Sequence, residues 1–167
     1  KLIIDQCMAD LSQWKVQDKP APYRPVEEYF HCKVKDIDTQ MCIFLNGWYV
    51  HDNMPLTISP EGVIVGSMTE AAQRFPDKVL PYLNQKSLPK EDDLSVLNRQ
   101  RYNDGLFVYV PENVTVEKPI QLISLTDSPD ELMINNRHLI VLEKNAELSF
   151  VQCDDSIQFK KSFINNV

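Results

Sequence analysis

The side chains with chemistry to offer are few and scattered: four cysteines, Cys7, Cys32, Cys42 and Cys153, and three histidines, His31, His51 and His138. His31 adjoins Cys32, and Cys42 and His51 stand at opposite ends of a hairpin-like segment, so a mixed Cys/His metal site is the first chemistry to weigh. Spacing counts against it. Neighbours on a strand point to opposite faces, and neither a Cys-x-x-Cys pair nor a zinc-type spacing is present. Reduced, mostly buried thiols and core or surface histidines are expected instead. Cys153 stands apart, in "SFVQCDDS". If Leu148 and Phe150 face inward, alternation along a strand sends Cys153 outward, where a thiolate can act as an iron–sulfur or redox ligand. A lone cysteine is still expected to be structural.

The second candidate is acidic. Asp127, Asp130 and Glu131 lie near Arg137, an arrangement that in a polysaccharide lyase would bind calcium beside a β-helix and attack a carbohydrate. Calcium takes six to eight oxygen ligands, whereas these residues sit in a Ser/Pro-containing turn, so a solvated loop is expected. Asp92-Asp93 and Asp154-Asp155 read as exposed turns in the same way. No Gly-rich phosphate loop, Gly-x-Ser-x-Gly or His-Glu-x-x-His is present. The residues therefore assign no catalytic, cofactor-binding or metal-binding position, and the chain reads as a non-enzyme.

The whole chain sets the bounds for its elements. Its 167 residues suffice for one domain or a domain with an annex, and 43% hydrophobic with 25% charged residues is ordinary globular composition. A formal charge of −7, without clustered Lys or Arg, speaks against a nucleic-acid or anionic-membrane surface. The apolar run Leu2-Ile3-Ile4 is too short for a signal peptide and nothing later reaches membrane-spanning length. The expected location is the cytoplasm, and a chain starting at Lys1 is expected to be a piece of a longer one.

Apolar residues at helical spacing from Leu2 to Trp14 predict an amphipathic helix over residues 2–16, ended by Pro20-Ala21-Pro22. Strand-like patterning begins at Tyr29. In "MCIFLNGWYV", Asn46-Gly47 predicts a type I′ hairpin turn, which needs positive φ twice. Val63-Ile64-Val65 is a short strand, and in "SMTE" Ser67 is the N-cap of a helix with Glu70 as its reciprocal partner. Phe75 before Pro76 should close that helix, and Pro76-Asp77 can open another. The polar "SLPKEDDLS" reads as the boundary between a mixed α/β region, residues 1–92, and a β-rich region, residues 93–167.

In the second region, "VPENVTV" at Val110 and "LEKNAEL" at Leu142 write nearly one pattern 32 positions apart, with Asn113 over Asn145 and Phe107-Val108-Tyr109 over Leu139-Ile140-Val141. Short β-rich runs joined by corners at a fixed spacing are the mark of a β-solenoid, in which each coil buries its inner face against the next. Asn tolerates left-handed φ, so matching asparagines suit matching corners. Two copies also leave room for adjacent hairpins of a jelly roll or barrel. A cupin-type metal barrel would need several inward histidines, and this region holds only His138.

The run "YNDGLFVYVPENVTVEKPIQLISL" from Tyr102, followed by "RHLIVLEKNAELSFVQCDDS" from Arg137, resembles the SufB/SufD family of iron–sulfur cluster assembly proteins. "PEGVIVGSMTEAAQRFPDKVLPYL", from Pro60, resembles the stretch before the family's β-helix. Within the family it is more similar to SufD, because "VQCDDS" stands where SufB carries a Glu-Gly-Cys-Thr-type motif. The resemblance implies a right-handed parallel β-helix flanked by helical regions, in a non-catalytic scaffold that pairs with SufB and with the ATPase SufC. It implies no cofactor in this segment, and an iron–sulfur cluster only in the full complex. No family ligand motif matches Cys153 or His138. A β-helix severed after its first coils exposes strand edges, so self-association of the piece is expected.

Overall fold

The computed structural model describes residues 14–23, 25, 38–83, 92–158 and 161–167. Cys7, His31, Cys32 and most of the expected first helix lie outside them. The last residues of that helix are not helical: Lys15 forms an isolated parallel bridge with Leu132.

Strands dominate. β1 (Gln40–Leu45) and β2 (Trp48–Tyr49) form the expected hairpin, with Asn46 at φ 50° and Gly47 at φ 88°. β3 (Leu56–Ile58) and β4 (Ile64–Ser67) are antiparallel, and β4 runs straight into helix α1 (Met68–Arg74). Ser67 caps that helix by accepting from the Glu70 amide at 3.2 Å, and Phe75 closes it. Helix α2 (Pro76–Leu83) starts on Pro76, whose missing N–H costs nothing in a first turn. Asp92 and Asp93 are not a turn, as the sequence suggested, but the N-cap and first residue of helix α3 (Asp93–Arg101); the Asp92 side chain accepts from the Ser95 amide at 2.8 Å.

Six strands follow: β5 (Leu106–Val110), β6 (Thr115–Asp127), β7 (Leu132–Asn136), β8 (Leu139–Leu142), β9 (Glu147–Gln158) and β10 (Ser162–Asn166). Each of the first three pairs in parallel with one of the last three: Phe107 with Leu139, Thr115 with Glu147, Leu132 with Ser162. Adjacent hairpins pair antiparallel, so the hairpin reading of the repeat fails on strand direction. Asp154 and Asp155 belong to β9 and not to a turn, because pairing with Ser124 and Leu125 extends the strand through them.

Both larger sheets take strands from either side of residue 92: one has the order β2-β1-β6-β9, the other β3-β4-β5-β8, while β7 and β10 form a third. The core between the larger sheets is built from Cys42, Phe44, Val65, Val108, Val110, Ile120 and Leu122, among others. On the outer side of β4-β5-β8, Ile64, Phe107 and Val141 pack against Met68, Ala71 and Val79 of the helices. Alternation along β5 thus fills two cores at once, with Leu106, Val108 and Val110 on one side and Phe107 on the other. Among the described residues no helix is long and apolar enough to cross a membrane.

Candidate functional site

The asparagines singled out by the repeat occupy matching corners. Asn113 and Asn145 have φ of 61° and 56°, and the Asn145 Nδ2 donates to the Asn113 Oδ1 at 2.9 Å. Successive strands are thereby stacked corner on corner, and the last of them, β8, β9 and β10, each form an edge of their sheet. The inner apolar face continues onto this edge. Ile140 and Leu142 stand beside buried Val108 and Val110, yet are 38% and 46% exposed.

Among the described residues, the thiols of Cys42 and Cys153 and the imidazoles of His51 and His138 form no metal-binding group. Cys42 is buried between the sheets with the Tyr49 hydroxyl as its polar neighbour, and burial pushes the thiol up to about 12. Burial also raises the Tyr49 hydroxyl, as does the nearby Cys42. Such a thiol has almost no thiolate at neutral pH and is chemically quiet. His51 stacks on Tyr49 at 6.0 Å, and its Nδ1 accepts from the Asn53 amide at 3.2 Å, so it belongs to the hairpin end. Cys153 lies on the face opposite Phe150, as strand alternation predicts, and accepts a weak 3.5 Å hydrogen bond from Gln121 Nε2. The Oε1 of Gln121 accepts in turn from the Thr39 hydroxyl at 2.7 Å.

His138 points inward, edge-on to Phe44 at 5.6 Å. Its Nδ1 accepts from the Leu106 amide at 2.9 Å, so the ring proton of the neutral form sits on Nε2, which is buried without a partner. Burial lowers its pKa to about 4, against the opposing pull of the Asp154 carboxylate. Among the described residues no group of three or more His, Cys, Asp or Glu is placed to hold a metal ion.

The acidic turn is dispersed as well. Asp130 pairs with Lys15 at 2.7 Å, Glu131 with Lys161 at 3.6 Å, and the Asp127 amide donates to the Asn46 side chain. Arg137 is buried beneath the helices and joins none of these pairs. The calcium arrangement that motivated a carbohydrate-active enzyme therefore has no geometric counterpart here.

Sequence reasoning missed the polar network that fixes the helices to the strands. Asp104, which the sequence offered only within the family-like run from Tyr102, is 4% exposed, and its Oδ1 accepts from the Ser67 hydroxyl and the Thr69 and Gly105 amides at 2.8–3.1 Å. Burial raises its pKa despite those donors. Asn98, fully buried on α3, donates to the carbonyls of Asn136 and Asn165 at 2.7 Å each. No pattern in the sequence pointed to Asn98, which lies just beyond the polar boundary stretch.

What the arrangement offers is a stack of strands with a ready edge and no assembled reaction centre among the described residues. The description that matches it is the SufBD protein N-terminal region, over residues 9–122. The chain belongs to the SufB/SufD family. It is 28% identical over 134 residues to an iron–sulfur cluster assembly SufBD family protein of Synechocystis sp., covering 75% of this chain and 29% of that one. To the iron–sulfur cluster assembly protein SufD of Bacillus subtilis it is 31% identical over 103 residues, covering 61% of this chain and 23% of the relative. SufB of the same organism is 24% identical over 103 residues, covering 62% and 22%. The chain thus spans less than a third of the length of these SufB/SufD relatives.

Proposed function

We propose that this chain is the N-terminal part of a SufD-like subunit of the SUF iron–sulfur cluster assembly machinery, a non-catalytic scaffold that acts in the cytoplasm with SufB-like and SufC-like partners. Residues 93–167 begin a right-handed parallel β-helix, preceded by a mixed α/β region, residues 1–92, whose strands β1 and β4 join the same sheets as β6 and β5. The supporting observation is the parallel register of 32 residues at the corners, Thr115 to Glu147 and Phe107 to Leu139, in a chain of the SufB/SufD family. A stack in that register extends by adding coils on β8, β9 and β10, and yields a long rigid face suited to holding a partner.

SufD is favoured over SufB by the higher identity to the former, 31% against 24%, and by Val-Gln-Cys-Asp in place of the SufB-type Glu-Gly-Cys-Thr. Iron and sulfide are cargo of the assembled machine in this reading, and this segment contributes no ligand to them. The test is co-expression of the full-length protein that carries this segment with SufB-like and SufC-like subunits, tagging each in turn. A stable complex containing all three is expected; recovery of the protein with neither partner refutes the reading.

A further inference from the structure

Residues Trp14–Gln17 lie along the side of β7 that faces away from β10. Lys15 makes the parallel bridge to Leu132: its amide donates to the Glu131 carbonyl at 3.0 Å, and its carbonyl accepts from the Met133 amide at 2.8 Å. The Lys15 Nζ meets the Asp130 carboxylate at 2.7 Å, and the Trp14 ring packs tilted against Phe163 at 6.3 Å. Two residues on, the Gln17 carbonyl accepts from Trp48 Nε1 at 2.7 Å and Asn103 Nδ2 at 3.2 Å, while its Oε1 accepts from Asn46 Nδ2 at 2.9 Å. The segment is a strap laid over the start of β7. The far end of β7 is covered instead by Asn103 and Asp104, which run directly into β5.

None of the four strap residues is fully buried. An ion pair between side chains as exposed as Lys15 and Asp130 adds little, and a segment held mainly by hydrogen bonds at the surface belongs to the low end of local stability. Behind it comes Asp18–Tyr23, exposed at every residue, where Pro20 and Pro22 fix φ and favour an extended course over a tight reversal. Release of the strap leaves the Glu131 carbonyl and the Met133 amide as a bare strand edge, the kind of site that recruits an extended segment. The segment that fits this edge is the strap itself. A strap from another copy makes every contact that the chain's own strap makes.

We propose that the strap is exchangeable: two copies of the chain trade residues 14–17 across the Asp18–Tyr23 hinge, each lending its Lys15 to the other's β7 edge and its Gln17 to the other's Trp48 and Asn103. The contacts are the same in the closed and exchanged forms, so the hinge and the chain concentration decide between them. The interface lies on the opposite side of β7 from β10, apart from the open edges of β8, β9 and β10. It does not rest on the proposed scaffold role.

The experiment mixes equal amounts of unlabelled and isotope-labelled chain, incubates them at high concentration and separates monomer from dimer. A carbodiimide then joins lysines to the carboxylates they touch, and mass spectrometry of the digested peptides reads whether each cross-link lies within one copy or between two. In the dimer, about half of the Lys15–Asp130 cross-links should carry mixed labels, the statistical share for a symmetric exchanged pair. The Lys161–Glu131 contact, at 3.6 Å just ahead of β10 and β7, should stay within single copies and serves as the control. In the monomer both cross-links should remain unmixed. Absence of a dimer, or Lys15–Asp130 cross-links confined to single copies in the dimer, overturns the proposal, and the second is what association through the β8, β9 and β10 edges alone would give. Equal mixing at Lys161–Glu131 also overturns it, because the cross-links would then report chance contact between copies.

Discussion

His138 and Asp104 are both buried titratable groups, and they act on stability in opposite senses. The imidazole is held neutral, with its folded pKa near 4 against an ordinary value of 6.5. Below about pH 6.5 the unfolded chain takes up a proton that the folded one refuses, so this contribution to stability is complete above that value and is lost as pH falls toward 4. The shift corresponds to about 3 kcal/mol at most. Urea denaturation at about pH 7 and about pH 4 should show a loss on acidification that is reduced in His138→Asn, whose Oδ1 can still accept from the Leu106 amide. A loss of equal size in that variant would mean that other groups set the acid limit. Asp104 has a raised pKa, so the stability its proton provides is complete below the ordinary carboxylate range and is lost as pH rises through the raised value. Asp104→Asn keeps an acceptor for Ser67, Thr69 and Gly105 and should leave stability near wild type at neutral pH. Asp104→Ala should cost about 1–3 kcal/mol, because three donors lose their acceptor. Equal stability of the two variants would remove the capping role.

At the scale of elements, stacking is set by corners as much as by strands. Asn113 holds positive φ and receives the Asn145 side chain, so two functions meet in one residue. Asn113→Gly keeps the backbone conformation and loses only an exposed hydrogen bond. Asn113→Val must adopt left-handed φ with a branched Cβ, at a cost of about 1–2 kcal/mol or more. Thermal unfolding should therefore rank wild type and the glycine variant close together and the valine variant well below. If valine is tolerated as well as glycine, the corner conformation is not what fixes the register. Helix α3 is held differently. It has little apolar pattern of its own, and buried Asn98 attaches it to the backbone of β7 and β10.

For the molecule as a whole, the consequence of the stacking is an open end. Among the described residues the sheets have β8, β9 and β10 at their edges, with Ile140, Leu142 and Ile164 each at least 38% exposed. Unpaired strand edges beside apolar side chains recruit further strands, and charge on the edge is the usual protection against it. The isolated 167-residue chain should form dimers or larger species with rising concentration, measured by light scattering. Replacing Ile140 and Leu142 with lysine should shift that equilibrium toward monomer. A wild-type chain that stays monomeric at high concentration would show that the edge is not adhesive.

Much of this was legible in the residues because the determining forces are local. Asn46-Gly47 selects its turn by φ alone, Ser67 caps whatever helix follows it, and the 32-residue recurrence around Asn113 and Asn145 announces equivalent corners. The outward direction of Cys153 follows from a period of two. What the sequence could not decide depends on distant chain segments. Leu132–Asn136 becomes a strand through pairing with Ser162–Asn166, Asp92-Asp93 starts a helix whose anchor is the backbone of β7 and β10, and Asp130 and Glu131 pair with Lys15 and Lys161 rather than with Arg137. Local propensity fixed the corners and caps; burial, strand direction and the partner of each charge are properties of the packed chain, since each needs residues tens of positions apart to meet.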